Sequence, residues 1–152
     1  MQFFDLKKYQ KLLKDSYREL TRAVGLHSAG VGIGAFVYLR RIFESICEEA
    51  HQKCVGLDDW NEAEYHSRRF NEKIEYLEEF GEAILPDEIA PIKAKLYGVL
   101  SKGVHEYTEA ECQELFPYLQ MAIELILDRK LAALEQEKKI SEMAKKIREA
   151  KT

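Results

Sequence analysis

The chain has 152 residues, 46% of them hydrophobic and 33% charged, with a net charge of −4. This length suits one domain with a sizeable core. The composition excludes a disordered chain and a membrane protein, and no apolar run approaches the ~20 residues that a membrane span needs. The N-terminal residues do not have the pattern expected of a signal peptide. The acidic balance argues against a dedicated nucleic-acid binder, and three cysteines without framework spacing predict reduced thiols in the cytoplasm.

The N-terminal third is predicted to form two helices. Apolar residues recur every three or four positions from Leu6 to Val24, which predicts an amphipathic helix over about 5–24 that ends near Gly25. The glycines between His27 and Gly34 lie ahead of the second helix. A phosphate-binding loop would need a strand before it, and none is predicted. Close packing of small residues at the start of a buried helix is therefore favoured.

The second helix carries a strong apolar face from Phe36 to Cys54. Cys47, His51 and Cys54 are spaced four and three apart, so they share one face of it. Zinc accepts these ligand types, but this spacing within one helix is not that of a standard zinc site. Because free cysteines are usually buried, core packing is favoured and no metal and no cofactor are predicted.

The middle of the chain is predicted to contain two further helices. Gly56 breaks the preceding helix, and residues 58–62 (Asp-Asp-Trp-Asn-Glu) supply a capped start for a helical stretch that ends near Gly81. Asp87 then caps a helix that has a proline in its opening turns and that ends at Gly103.

A short connector after Gly103 contains His105 and leads into the last helix. Thr108 and Glu111 have the spacing of a capping box, which predicts that this helix begins at Thr108. A histidine between two helix ends can act as a general acid or base, or in an anion site. No residue beside it completes a known catalytic set, so a structural role in the turn is favoured.

The last helix is predicted to be long, with a kink at Pro117. Beyond Leu127 the composition changes, since residues 128–152 contain eight Lys and Arg against five Asp and Glu. This extension has an imperfect apolar seam, which predicts either a coiled-coil contact with a second copy or a projecting helix; the seam consists of Leu131, Leu134, Ile140, Met143 and Ile147. The prediction is an all-α bundle of four to five main helices over 1–127 and a charged helical extension over 128–152.

Two short motifs resemble those of the HEPN superfamily of helical bundles, in particular a bacterial branch associated with phage defence. The motifs are LRRIFE, from Leu39 to Glu44, and GVHEYTEAEC, from Gly103 to Cys112, and the resemblance covers roughly 37–127. It implies a homodimer in which His105 is the histidine of the family motif.

Active members of this superfamily carry an arginine shortly ahead of the histidine, and here Leu100, Val99 and Gly98 occupy the corresponding positions. Lys102 is the nearest cation in sequence, and Arg40 or Arg41 could supply the charge from another helix.

We therefore expect a non-catalytic, dimerising module that binds a protein or RNA partner in a phage-defence or nucleic-acid-linked system. The alternatives are a metal-independent ribonuclease that uses His105 with one of these arginines, and a structural protein-interaction bundle.

Overall fold

The computed structural model describes residues 3–102 and 106–151. These residues are 82% helical, and no strand occurs among them, so the all-α prediction is confirmed. Seven α-helices are present in the described residues: α1 Gln10–Leu13, α2 Ser16–Ser28, α3 Gly32–Cys54, α4 Glu62–Ser67, α5 Phe70–Glu79, α6 Lys93–Ser101 and α7 Glu109–Glu149. Two 3₁₀ segments, Phe3–Tyr9 and Asp87–Ile92, precede α1 and α6.

The first predicted helix is broken where one continuous helix was expected. The backbone of Lys14 has a φ of +53°, which a right-handed helix does not accommodate, so α1 and α2 are separate. Gly25 does not end the helix, and α2 continues to Ser28 before Gly30 turns the chain with a φ of +80°. The prediction of a single helix that ends near Gly25 was wrong at both points.

Helix α3 is the central element, since it packs against α2, α5, α6 and α7. Its first residue, Gly32, lies directly against the backbone of α7, where a Cβ would be 2.6 Å from Gln113 N and 2.7 Å from Glu109 O. The expected close packing of small residues at the start of this helix is therefore confirmed. Glu109 reinforces the contact because its carboxylate accepts a hydrogen bond from Ile33 N at 3.1 Å.

The segment after α3 forms two short helices instead of one. Asn61, rather than an aspartate, caps α4 by accepting a hydrogen bond from Glu64 N at 3.0 Å. The backbone is extended at Arg68 and Arg69, which separates α4 from α5. The helix predicted to begin at Asp87 is 3₁₀ for its first six residues, and α6 starts only at Lys93. Pro91 lies inside that 3₁₀ segment and has no N–H to donate.

The last helix begins as predicted. Thr108 Oγ1 accepts from Glu111 N, and Glu111 Oε1 accepts from Thr108 N, both at 3.1 Å. Helix α7 runs without interruption through Pro117, and the expected kink there stays a prediction. Past Leu131, which packs on the core, every described residue of α7 except Ala144 is exposed, so the end of the helix projects from the bundle. Among the described residues, no helix combines the length and the hydropathy that crossing a membrane requires.

Candidate functional site

Arg40 lies next to the end of α6, where the connector predicted to contain His105 begins. It extends from α3 and donates from Nη1 to the backbone oxygen of Lys102 at 3.1 Å, and its Nε donates to Glu44 Oε1 at 3.1 Å. Lys102 is the last described residue before that turn, and His105 lies outside the described residues. Arg40 and Lys102 are therefore brought together at the end of α6.

Arg41 lies on a different side of α3. It pairs with Glu19 of α2 at 2.8 Å and covers the ring of Tyr38 at 5.8 Å. Consecutive residues of an α-helix point about 100° apart, so the two arginines reach different neighbours. Of the two, Arg40 alone contacts the end of α6.

Lys102 faces residues that follow the turn. Its Nζ is 4.0 Å from Glu106 Oε2 and 5.5 Å from the centre of the Tyr107 ring, which in turn contacts Phe36. This lysine is thus engaged by a carboxylate and an aromatic ring, and half of its side chain remains exposed.

The cysteines of α3 are core residues, as expected. Cys47 and Cys54 are buried in the hydrophobic cluster, and burial raises the pKa of both thiols, that of Cys47 to about 12. A thiol with such a pKa stays protonated at neutral pH, whereas metals bind the thiolate.

His51 of α3 contacts carboxylates and not the cysteines. Its Nε2 lies 2.5 Å from Glu62 Oε1 and its Nδ1 lies 3.2 Å from Glu48 Oε2. His66, one turn after Glu62 on α4, places its Nε2 3.7 Å from the same Glu62 oxygen. Among the described residues, only the trio His51, Glu62 and His66 brings three potential metal ligands within 4.8 Å of one another.

The charges of this cluster support one another. Burial by itself lowers the pKa of His51, but hydrogen bonds with Glu62 and Glu48 outweigh it and raise that pKa. The hydrogen bond with His51 lowers the pKa of Glu62. Glu62 and His66 were not predicted as site residues, although their four-residue spacing on one helix was a usable signal.

The outer face of α7 carries a long apolar stripe. Its six large apolar side chains are 45–68% exposed: Tyr118, Met121, Leu125, Ile140, Met143 and Ile147. On a regular helix, positions eleven residues apart differ by about 20° around the helix axis. Tyr118, Met121 and Leu125 each precede Ile140, Met143 and Ile147, respectively, by twenty-two residues. The six therefore form one stripe, which we call the outer stripe.

The predicted seam overlaps the outer stripe only in part. Leu131 and Leu134 fall more than about 120° away from it and continue the face that packs on α3. The seam as predicted thus joined two different faces of α7. Its distal members Ile140, Met143 and Ile147 do share one exposed face.

Comparison with protein-family models, with curated proteins and with solved structures gave no significant match.

Proposed function

We propose that this chain is a non-catalytic helical module that pairs with a second copy of itself through the outer stripe. The observation that carries the proposal is the stripe, which holds six of the large exposed hydrophobic residues and extends about 44 Å from Tyr118 to Ile147. Scattered surface apolar residues need no explanation, but two exposed apolar trios aligned on one face of a helix are typical of an interaction surface.

The arrangement of the stripe favours an antiparallel pair. Apolar trios lie at both ends, and Ala132 lies near the midpoint, where a small side chain allows two helices to approach closely. An antiparallel alignment centred beside Ala132 sets Tyr118 opposite Ile147 of the second copy. Leu125 then lies opposite Ile140. The same patch thus meets itself about a two-fold axis, as in most homodimers.

The charge distribution supports the same alignment. Residues 128–152 have eight basic against five acidic side chains, which leaves 15 against 22 in the other 127 residues. Antiparallel pairing brings the basic end of α7 of one copy to the acidic start of α7 of the other. Glu111 and Glu114 line a groove next to Tyr118, and Lys151 of the second copy would lie opposite Glu114.

The area is sufficient for a stable pair. Each side chain of the outer stripe is about half exposed, so pairing twelve of them would cover on the order of 1,000 Å² of apolar surface, close to the size of specific interfaces. A module of this kind would present two copies of the turn near Arg40 to a protein or RNA partner. The HEPN relationship and the phage-defence context belong to this proposal, and the all-α fold and the contact between Arg40 and the end of α6 support them.

Sedimentation equilibrium tests the pairing. Met143→Glu or Leu125→Glu places a charge within the stripe and should convert a dimer into a monomer at micromolar concentration. Leu134→Glu is the matched control, because Leu134 is also about half exposed but lies on another face. A wild-type chain that is monomeric at every concentration, or a dimer that survives both stripe substitutions, would refute the proposal.

Cross-linking tests the antiparallel direction. Two copies of Ala132→Cys should form an intermolecular disulfide readily because this position lies near the two-fold axis. Met143→Cys should not, since the two introduced thiols would be about 30 Å apart along the helix axes. Equal cross-linking at both positions would indicate parallel pairing. The native cysteines are buried and should not interfere.

A second candidate function is metal-independent RNA cleavage that uses His105 with Arg40. The specific observation in its favour is the hydrogen bond from Arg40 to Lys102 O, which holds a guanidinium beside the turn. A planar guanidinium can bind two phosphate oxygens, and a histidine can transfer a proton.

The two arginines provide a matched pair for the test. In EDTA, Arg40→Ala and His105→Ala should each abolish cleavage of varied RNA substrates, whereas Arg41→Ala should retain it because Arg41 pairs with Glu19. Absence of cleavage by the wild-type chain would exclude this function and leave the non-catalytic proposal in place.

A further inference from the structure

The cluster around His51 joins the end of α3 to α4. His51 is buried, while Glu62 and His66 remain about half exposed, so an ion from solvent can reach the three groups. The ligand atoms of this trio all lie within 4.8 Å of one another. Ligands of a tetrahedral zinc ion are about 2.0–2.2 Å from the metal, so adjacent ligand atoms lie about 3.3–3.6 Å apart. Small rotations of the two exposed side chains would bring the trio to that geometry.

The geometry points to a binding site for one divalent transition-metal ion, with His51 Nε2, Glu62 and His66 Nε2 as ligands. Two imidazoles and a carboxylate suit Zn²⁺, and also Co²⁺ or Ni²⁺, better than Mg²⁺ or Ca²⁺, which prefer oxygen ligands alone. Three protein ligands leave a further position for water. This inference does not depend on the pairing proposed for α7.

Glu48 gives the site the outer support that metal-binding histidines usually have. Its carboxylate accepts a hydrogen bond from His51 Nδ1 at 3.2 Å. With an ion bound, that contact would keep the proton on Nδ1, so the lone pair of Nε2 would be available to the metal. Glu48 also holds Gln52, whose Nε2 donates to it at 2.7 Å, so the carboxylate is itself held in position.

Aromatic rings fix the plane of the His51 imidazole. The Tyr65 ring stacks on it at 4.1 Å and 17°, and the Trp60 ring packs at 5.8 Å. Both rings come from the segment that carries Glu62 and His66. An imidazole held by packing and by a carboxylate loses little conformational entropy when it binds an ion.

The helix α4 presents the other two ligands together. Glu62 and His66 are one turn apart, so both side chains lie on the face that is directed at His51. This helix has only six residues, and a metal ion would fasten it to α3. Without an ion, the contact between His51 Nε2 and Glu62 Oε1 occupies the same place, and the ion would replace it.

Calorimetric titration with ZnCl₂ tests the site, on protein without a histidine tag that has been treated with EDTA and exchanged into buffer. The wild-type chain should bind one Zn²⁺. His66→Gln and Glu62→Gln should each weaken binding by at least about tenfold, and Glu48→Gln by about 10–100-fold. Both ligand substitutions affect exposed side chains, so the variants should fold.

Glu64→Gln is the matched control, since it removes the same charge from the same helix but Glu64 pairs with Arg68 instead. This variant should bind Zn²⁺ like the wild type. Binding of Zn²⁺ should also raise the melting temperature of the wild type and of Glu64→Gln, but not that of His66→Gln. Failure of the wild type to bind, or equal binding by His66→Gln, would overturn the inference, and neither result bears on dimerisation.

Discussion

Replacement of Gly32 by alanine should destabilise the fold strongly for a single added methyl group. The new Cβ would meet three backbone atoms of α7, two of them 2.6 and 2.7 Å away, and backbone cannot rotate aside as a side chain can. Helices α3 and α7 would have to separate by roughly 0.5–1 Å, and overpacking of this kind typically costs about 1–3 kcal/mol. The hydrogen bonds from Ile33 N to Glu109 and from Gln113 to His27 O would weaken as well, at about 0.5–1.5 kcal/mol each.

The total loss in the free energy of unfolding is about 2–6 kcal/mol, which for a chain of this size lowers Tm by roughly 5–20 °C. Urea unfolding followed by circular dichroism measures it. Gly25→Ala is the control, because Gly25 lies inside α2 with no atom within 4 Å of the place that the added methyl group would take, and alanine there should stabilise the helix by about 0.5–1 kcal/mol. If both variants are as stable as the wild type or more so, the close contact between α3 and α7 is wrong.

Three further predictions concern single features. Thr108→Ala removes the side-chain cap of α7 and should lower the free energy of unfolding by about 1 kcal/mol in urea melts, and an unchanged midpoint would contradict the capping box. At pH 8 the thiols of Cys47, Cys54 and Cys112 should react with DTNB only after denaturation in guanidinium, because burial raises their pKa. Rapid reaction of the native protein would contradict this prediction. Deletion of 136–152 should abolish dimers in light scattering and leave Tm close to that of the monomeric variant Met143→Glu, because the described residues of this segment are exposed apart from Ala144; a Tm far below that of Met143→Glu would show that the segment supports the bundle.

Features set by neighbouring residues could be predicted from the sequence. The capping box at Thr108 depends on side chains three residues apart, and the structure has both of its hydrogen bonds. The apolar face of α3 follows from helical periodicity in the same way, and its cysteines are buried where that periodicity places them. In both cases the information lies within one or two helical turns.

Features set by small backbone preferences could not be predicted. The break at Lys14 and the extended residues at Arg68 and Arg69 interrupt stretches whose apolar spacing is helical throughout. Periodicity alone does not distinguish one helix from two short helices in line, because the same residues are buried in both cases. The 3₁₀ conformation before α6 is an equally small change in the backbone.

Contacts between helices depend on crossing geometry, which the pattern of one helix does not contain. His51 and Glu62 are eleven residues apart across a turn, and the sequence associated His51 with the cysteines of its own helix instead. The prediction of one apolar seam on α7 was wrong for a related reason. Leu131 and Leu134 are apolar like Ile140, Met143 and Ile147, but which of these residues share a face depends on their angles around the helix axis and on where the bundle ends.

Arg40 and His51 lie far apart along α3, so the two candidate sites are separate. Arg40 and His51 are eleven residues apart on one straight element, so their Cα atoms lie about 16 Å from each other. That distance exceeds the reach of either side chain, and a metal ion at His51 could not contact a phosphate held at Arg40. Zinc binding and RNA cleavage would therefore be independent properties. If EDTA abolished a cleavage activity of this chain, that activity would depend on a metal ion, and the metal-independent role suggested for Arg40 would be excluded.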